Sequence, residues 1–329
     1  MAAALHVQSK TVLSGSDVFG ECAWNERKKQ VLIHVKGRGL ALYDVGKRCA
    51  ERTRFLQIED DVHTIYLLER KHVYVVLSAK NKACSILRIY SESMEMLAET
   101  IAYQDYELRS CTKRGEEIVT VAENEKSSYI RTWNVRYCPM SEQKYKIAVR
   151  LSLRIRDEIV TCLCVDERRD ELVGILASGK VCVWNCMTGS LHRCHQKSLV
   201  RNSHVDKIVH TSSLGFVMRC SEGLEIWSRD FKNCTLLNAT RLCAMTTLDD
   251  DTVNVLTVRS NGCVELWDVV SREQMTLLRF PQSERATSAV IRMIRNKSRA
   301  LVCVGNQMFV VGVSNLKFYA MTRRANAKL

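Results

Sequence analysis

The sequence predicts an all-β fold, a seven-bladed β-propeller of four-stranded antiparallel blades. Three observations lead there. Seven short segments share one ending, in which apolar and polar residues alternate and a bulky residue closes the run. The closing residues are Tyr43, Tyr90, Trp133, Trp184, Trp227, Trp267 and Val311. They lie 47, 43, 51, 43, 40 and 44 residues apart, a period of the length that propeller blades show. Each period also divides into four strand-like runs separated by polar turns.

The elements follow in order. Segment 5–13 precedes the first full repeat. It either completes the last blade or is an upstream linker, so the chain divides into 1–17, N-terminal strand or linker, and 18–329, the propeller. Ring closure by this strand is the favoured reading; it requires the Thr11 backbone to pair with 308–311. The first repeat contains the nearly continuous apolar run 31–35. The second gives runs 62–68, 72–77, 85–90 and 94–102. Residues 91–101 have helix-forming composition, but their place in the period favours a strand. The third repeat ends its third run at Trp133 and is followed by the longest connection, 136–146. The fourth gives 159–165, 171–176, 180–184 and 191–196; the sixth gives 242–248, 253–258, 263–267 and 274–280. The seventh contains 301–304 and closes at Val311 without an aromatic residue. Second runs this apolar suit strands buried on both faces. One four-stranded sheet cannot bury both faces alone; stacked neighbours can do it for one another. Tyr43, Tyr90, Trp133, Trp184, Trp227 and Trp267 are therefore expected to be blade anchors.

At this point the chain resembles WD-repeat proteins. Val264-Glu-Leu-Trp-Asp-Val269 has the family's dipeptide in its expected place. Val181-Cys-Val-Trp-Asn-Cys186, Ile130-Arg-Thr-Trp-Asn-Val135, Leu224-Glu-Ile-Trp-Ser-Arg229 and Leu40-Ala-Leu-Tyr-Asp-Val45 are close variants. The Gly-His pair that usually opens such a repeat is missing. The family's network of Trp, Ser or Thr, His and Asp cannot be completed in most blades. The resemblance implies a divergent propeller, held more by apolar packing than by polar networks, that serves as a protein-binding scaffold. It is similar in this to the terminal propellers of leucine-rich-repeat kinases and of DENN-domain exchange factors, which are large multidomain signalling or trafficking proteins.

Bulk composition limits the function classes. A closed array of repeats can occupy 329 residues as one domain. A hydrophobic fraction of 46% argues against disorder. No apolar run is long enough to span a bilayer, and the first residues lack the basic start and apolar core of a signal peptide. The expected location is the cytoplasm or nucleus. Fifteen cysteines then read as reduced thiols. Those in apolar runs, such as Cys84, Cys162, Cys164, Cys182 and Cys303, act as small hydrophobes. The glycosylation sequons at Asn233, Asn238 and Asn296 carry no meaning without secretion.

Enzyme motifs are absent, and no cofactor or metal is expected. Gly37-Arg-Gly39 is a turn between strands, not a phosphate cradle. The cluster Cys182, Cys186, His192, Cys194 and His195 offers zinc-type ligands, but alternation sends Cys194 and His195 to opposite faces. The acidic pairs Asp60-Asp61 and Asp249-Asp-Asp251 fall in turns, where solvation explains them.

A formal charge of +13 points to polyanionic partners. The turns between second and third strands, which share one face of a propeller, hold Lys36, Arg38, Lys80, Lys82, Lys126, Lys180 and Arg259. Against them stand Glu123, Glu125 and Glu222. The favoured partner is an acidic protein surface. Nucleic acid is the alternative, and it needs stacking aromatics beside the charge; only Tyr129 lies near, by Lys126. An anionic membrane is a third candidate, through Arg292, Arg295, Lys297, Arg299, Arg323, Arg324 and Lys328. A homodimer through loop 136–146, which contains Tyr137, Met140 and Tyr145, is a fourth.

Overall fold

The structure, a computed structural model, describes residues 4–12, 17–46, 49–196, 205–211, 215–239, 241–247, 254–280, 289–294 and 299–314. Among these, every regular element is a strand. β1 (Ala4–Val12) stands before the first repeat. The first sheet is β2 (Phe19–Asn25), β3 (Gln30–Val35), β4 (Gly39–Val45) and β5 (Ala50–Gln57). The second is β6 (Asp61–Leu68), β7 (Val73–Asn81), β8 (Cys84–Ser91) and β9 (Met96–Gln104). The third is β10 (Glu107–Arg114), β11 (Glu117–Asn124), β12 (Ser127–Tyr137) and β13 (Tyr145–Arg156). The fourth is β14 (Val160–Asp166), β15 (Glu171–Leu176), β16 (Lys180–Asn185) and β17 (Leu191–Gln196). The fifth is β18 (Val205–Thr211), β19 (Gly215–Cys220), β20 (Gly223–Ser228) and β21 (Cys234–Leu237). The sixth is β22 (Leu242–Thr247), β23 (Asn254–Arg259), β24 (Cys263–Asp268) and β25 (Glu273–Arg279). The seventh takes β26 (Ala289–Ile294), β27 (Arg299–Val304) and β28 (Gln307–Ser314) together with β1. These seven antiparallel sheets are the blades of a β-propeller.

Of the residues of helix-forming composition at 91–101, Ser91 ends β8, 92–95 form the turn and 96–101 pair with β8 as part of β9. β1 pairs antiparallel with β28, and Thr11 stands opposite Met308. The two ends of the described chain thus share one sheet. Segment 316–321, the competing fourth strand, lies outside the described residues.

Two compact units carry the blades. One comprises Met1–Lys36, Leu40–Phe55 and Thr211–Leu329; the other comprises Gly37–Gly39 and Leu56–His210. Both cores are built by strand alternation. In the first unit, Val302 and Val311 of the seventh blade pack with Leu256, Val264 and Leu266. Their neighbours Leu301, Cys303 and Val310 point the other way, onto Val31, Ile33 and Tyr43. In the second unit, Ile118, Ala122 and Trp133 of the third blade pack with Leu77, Leu87 and Ile89. Val119, Val121 and Ile130 face Val160, Leu163 and Trp184. Each fully buried aliphatic or aromatic side chain contributes about 1.5–3 kcal/mol. A net hydrogen bond contributes only about 0.5–1.5 kcal/mol, so apolar packing dominates these interfaces.

The repeats also share irregularities that alternation alone does not reveal. In four blades the register slips where the third strand reaches its anchor, between Ile89 and Tyr90, Thr132 and Trp133, Val183 and Trp184, and Leu266 and Trp267. The fourth strand there carries one unpaired residue: Leu97, Arg150, His192 or Met275. Such a bulge bends and twists the outer strand.

β4 and β20 both open on a glycine with positive φ, Gly39 at 147° and Gly223 at 150°. A Cβ on Gly39 would lie 2.1 Å from the Leu56 carbonyl oxygen, and one on Gly223 would lie 2.1 Å from that of Leu237. The fourth strand passes too close for any side chain. Gly223→Ala is therefore expected to cost about 2–4 kcal/mol through strain and backbone displacement, read as a lower midpoint in urea with an unchanged slope.

Candidate partner-binding site

The turns between second and third strands are shaped by asparagine. Asn81 Oδ1 accepts from the Ala83 amide at 2.9 Å. Asn124 Oδ1 accepts from the amides of Lys126 at 3.1 Å and Ser127 at 3.0 Å. Asn261 Oδ1 does the same for Cys263 at 3.1 Å. These side chains satisfy turn amides that no strand partner reaches. They leave Lys82 and Lys126 at the tips, with Lys80 at the end of β7. Lys80, Lys82 and Lys126 are exposed, and none has an ion-pair partner among the described residues.

The other basic residues of this turn class behave differently. Lys180 Nζ is 2.7 Å from Glu158 Oε1. Burial pushes the Glu158 carboxyl up, yet the Lys180 and Ser178 hydrogen bonds outweigh it and leave the carboxyl below its ordinary value. Arg259 Nε lies 2.8 Å from Glu265 Oε1, a carboxylate on the adjoining strand with almost no exposure. Lys180 and Arg259 therefore hold their charge in ion pairs. Arg38 is exposed on the β3–β4 turn of the second unit; Lys36 is exposed in the first. Glu123 is engaged by Arg109, and Glu125 is exposed.

The opposite class of turn, between first and second strands, pairs some of its charges with neighbouring strands and turns. Arg114 reaches Asp170 at 2.6 Å and Glu117 at 2.9 Å, and Arg150 reaches Glu117 at 2.6 Å. The Gly115 amide donates to Glu167 at 2.8 Å. In this unit one edge thus mixes both signs of charge, with Arg70, Lys71 and Arg169 beside Glu69, Glu116, Glu167 and Asp170, while the other presents Lys80, Lys82 and Lys126.

The six aromatic anchors Tyr43, Tyr90, Trp133, Trp184, Trp227 and Trp267 are all buried. Two different polar solutions serve the indoles of Trp133, Trp227 and Trp267. Trp133 Nε1 donates to Thr120 Oγ1 at 2.8 Å, and the Tyr103 hydroxyl lies 2.8 Å from the same oxygen. The Arg131 guanidinium covers the Tyr103 ring at 4.7 Å. Trp227 and Trp267 instead donate to Glu225 and Glu265, two residues back on the same strand face, at 2.9 and 3.2 Å. Trp24, which is not an anchor, donates in the reverse order, to Glu26 two residues ahead, at 2.7 Å. The E-x-W spacing, which puts carboxylate and indole on one face, was the signal available for this pairing. In the seventh blade, Phe309 supplies the missing ring, stacked on Phe280 with centroids 3.7 Å apart.

The residue after the anchor caps the next turn. Asn185 Oδ1 accepts from the Met187 and Thr188 amides at 2.8 and 2.9 Å. Asp268 Oδ1 accepts from Val270 and Ser271 at 2.9 and 3.0 Å.

The zinc-type cluster does not converge. Cys182 and Cys194 meet, but Cys186 lies at the other end of β16, where its carbonyl accepts from Arg150 at 2.8 Å. His192 faces Glu171 at 3.7 Å, and His195 stands opposite Val181. Among the described residues no three His, Cys, Asp or Glu side chains gather. Asp60 is held by Arg88 and accepts from Ser78 at 3.2 Å; Asp249 to Asp251 lie outside the described residues. Of the residues considered for a membrane surface, Arg292 pairs with Glu21 and Arg299 opens β27. Arg295, Lys297, Arg323, Arg324 and Lys328 are outside the described residues. Loop 136–146 proves to be an extension of the β12–β13 hairpin. Tyr137 and Tyr145 pack at 5.2 Å, and Met140 is fully exposed at the tip. Tyr129 is enclosed by Tyr106 at 4.8 Å, Arg131 at 5.8 Å and Arg154 at 5.6 Å.

No helix among the described residues is long and apolar enough to cross a membrane. No family model and no curated protein matches the chain.

Proposed function

We propose that the chain is a non-catalytic, WD-type protein-interaction scaffold of the cytoplasm or nucleus, which docks an acidic protein segment on Lys80, Lys82 and Lys126. By its resemblance it is the kind of propeller that ends multidomain signalling proteins. Propellers commonly act as interaction scaffolds, and the WD-type reading rests on the Trp133–Thr120 hydrogen bond and on the capping role of Asp268 and Asn185.

One observation carries the docking proposal. Within the second unit, the turns between first and second strands mix acidic and basic residues and pair some of them, as Arg114 does with Asp170, whereas the turns between second and third strands of two successive blades leave Lys80, Lys82 and Lys126 exposed and without an ion-pair partner among the described residues. An extended acidic segment can form ion pairs there without displacing any existing one. Exposed pairs contribute little singly, but together they steer association and set salt dependence. Nucleic acid fits less well, because Tyr129, the aromatic residue near Lys126, is half-buried and already packs against another ring and two guanidinium groups.

The test is a titration of the full chain with a fluorescent glutamate-rich peptide at low salt. The triple variant Lys80→Glu, Lys82→Glu, Lys126→Glu is expected to lose about tenfold or more in affinity. Reversing Arg136, Lys144 and Lys146 on the long hairpin, an equal change in charge, should leave binding near wild type. Equal losses in both variants would reduce the effect to net charge and overturn the assignment. Displacement of the peptide by an oligonucleotide, through the same three lysines, would favour the nucleic-acid reading instead.

A further inference from the structure

Two cysteines of the fourth blade face each other on its outer hairpin. Cys182 of β16 and Cys194 of β17 are register partners, and their sulfur atoms lie 2.7 Å apart. Directly opposed residues of antiparallel strands have Cα atoms about 4.5–5.5 Å apart. A disulfide spans about 4.4–6.8 Å, so the bond could close without moving the backbone. The two sulfurs differ in access. Cys182 is 5% exposed, whereas Cys194 is exposed on the outermost strand of its sheet.

We propose that Cys182 and Cys194 are a reversible redox-modification site, which a small disulfide of the glutathione class oxidises to a cross-strand disulfide. Cys194 is the entry sulfur. Burial and the adjoining Cys194 thiol push Cys182 up to about 12, so Cys182 stays protonated until its partner has reacted. Lys180, two residues before Cys182 on the same strand face, places an ammonium group near the pair, together with the Glu158 carboxylate that holds it.

The chemistry balances in two exchanges. The Cys194 thiolate attacks one sulfur of glutathione disulfide, forming a mixed disulfide and releasing one glutathione thiolate. Cys182 then gives up its proton and attacks the Cys194 sulfur, releasing the second glutathione. Two protein thiols become one disulfide, and one glutathione disulfide becomes two thiols. Excess glutathione reverses both steps.

A second thiol pair provides the contrast. Cys22 and Cys303 are hydrogen-bonded neighbours in the other unit, but they are 0% and 1% exposed. They have no solvent-facing sulfur through which exchange could begin.

The native chain is equilibrated in glutathione buffers of rising oxidised fraction, quenched in acid, alkylated and digested with trypsin without reduction. Cleavage separates 181–193, which holds both Cys182 and Cys186, from 194–197. The same experiment on Cys186→Ser assigns the link. The expected product is the two peptides joined and two hydrogens lighter than their sum, with Cys194 alkylation lowered about tenfold or more and restored by dithiothreitol. In Cys182→Ser, glutathione should remain trapped on Cys194. Wild-type protein in which Cys194 accumulates glutathione while Cys182 stays a free thiol would overturn the proposal. So would a link that disappears in Cys186→Ser.

Discussion

Removing residues 4–12 is expected to lower the unfolding midpoint by about 10 °C or more and to produce concentration-dependent association. The loss comes mainly from the backbone. Most β1 side chains are exposed, with Leu5 and Ser9 the main inward contributions. The pairing itself runs from Ala4 opposite Ser314 to Val12 opposite Gln307, and each net ladder bond is worth about 0.5–1.5 kcal/mol. Thr11 also ties β1 to the first blade, its hydroxyl accepting from the Ala50 amide at 2.9 Å. Without β1, the edge of β28 is bare, and that strand carries Met308, Phe309, Val310, Val311 and Val313, all buried. An uncovered apolar edge of this length templates intermolecular pairing. Adding a peptide of residues 4–12 in trans should restore the midpoint and the monomer. Calorimetry with light scattering checks both. A truncated chain that melts with the full chain and stays monomeric would show that β28 needs no partner.

The second large effect is expected at Thr120, which is fully buried. Thr120→Val keeps the volume but removes the acceptor of the Trp133 indole N–H, leaving a buried donor unsatisfied. The Tyr103 hydroxyl keeps the carbonyls of Thr120 and Tyr129, at 3.1 and 3.2 Å. The expected cost is about 1–3 kcal/mol. Trp133→Phe in the same background should cost less than it does alone, since the orphaned donor is gone; denaturant unfolding of the four proteins gives the coupling. The hub also predicts a pH dependence. Burial pushes the Tyr103 phenol well above its ordinary value of 10.0, against the lowering pull of the Thr120 hydrogen bond and of Arg131. The folded chain therefore holds this proton longer than the unfolded chain. Its contribution is complete below about pH 10 and is lost as pH rises through and beyond that value. In Tyr103→Phe the alkaline loss should be shallower.

The repeat architecture was legible because each blade writes the same physics in its residues. Runs 171–176 and 191–196 coincide with β15 and β17, and run 242–248 matches β22 over its described residues. The apolar second runs announce strands covered on both sides. The bulges at Tyr90, Trp133, Trp184 and Trp267 were not legible, since the extra residues Leu97, Arg150, His192 and Met275 share no residue type that would mark them on the fourth strand. The surplus N-terminal segment could be matched to β28 by counting strands, although alternation alone left its place open. At the basic turns, spacing showed which lysines share an edge. It could not show that Glu158 reaches Lys180 across 22 residues of sequence, or that Arg259 turns inward to Glu265. Those pairings depend on which neighbouring turn or strand lies alongside. The Cys182–Cys194 contact has the same origin, for it follows from a hairpin register that the bulge at Trp184 sets.

The most direct test of the docking account is zero-length carbodiimide coupling of a glutamate-rich peptide to the intact chain, with the joined lysines read by mass spectrometry. Coupling concentrated on Lys80, Lys82 and Lys126, suppressed by salt, is the result expected. Coupling spread over lysines such as Lys71, Lys144, Lys146 and Lys232, with no preference for those three, would contradict it.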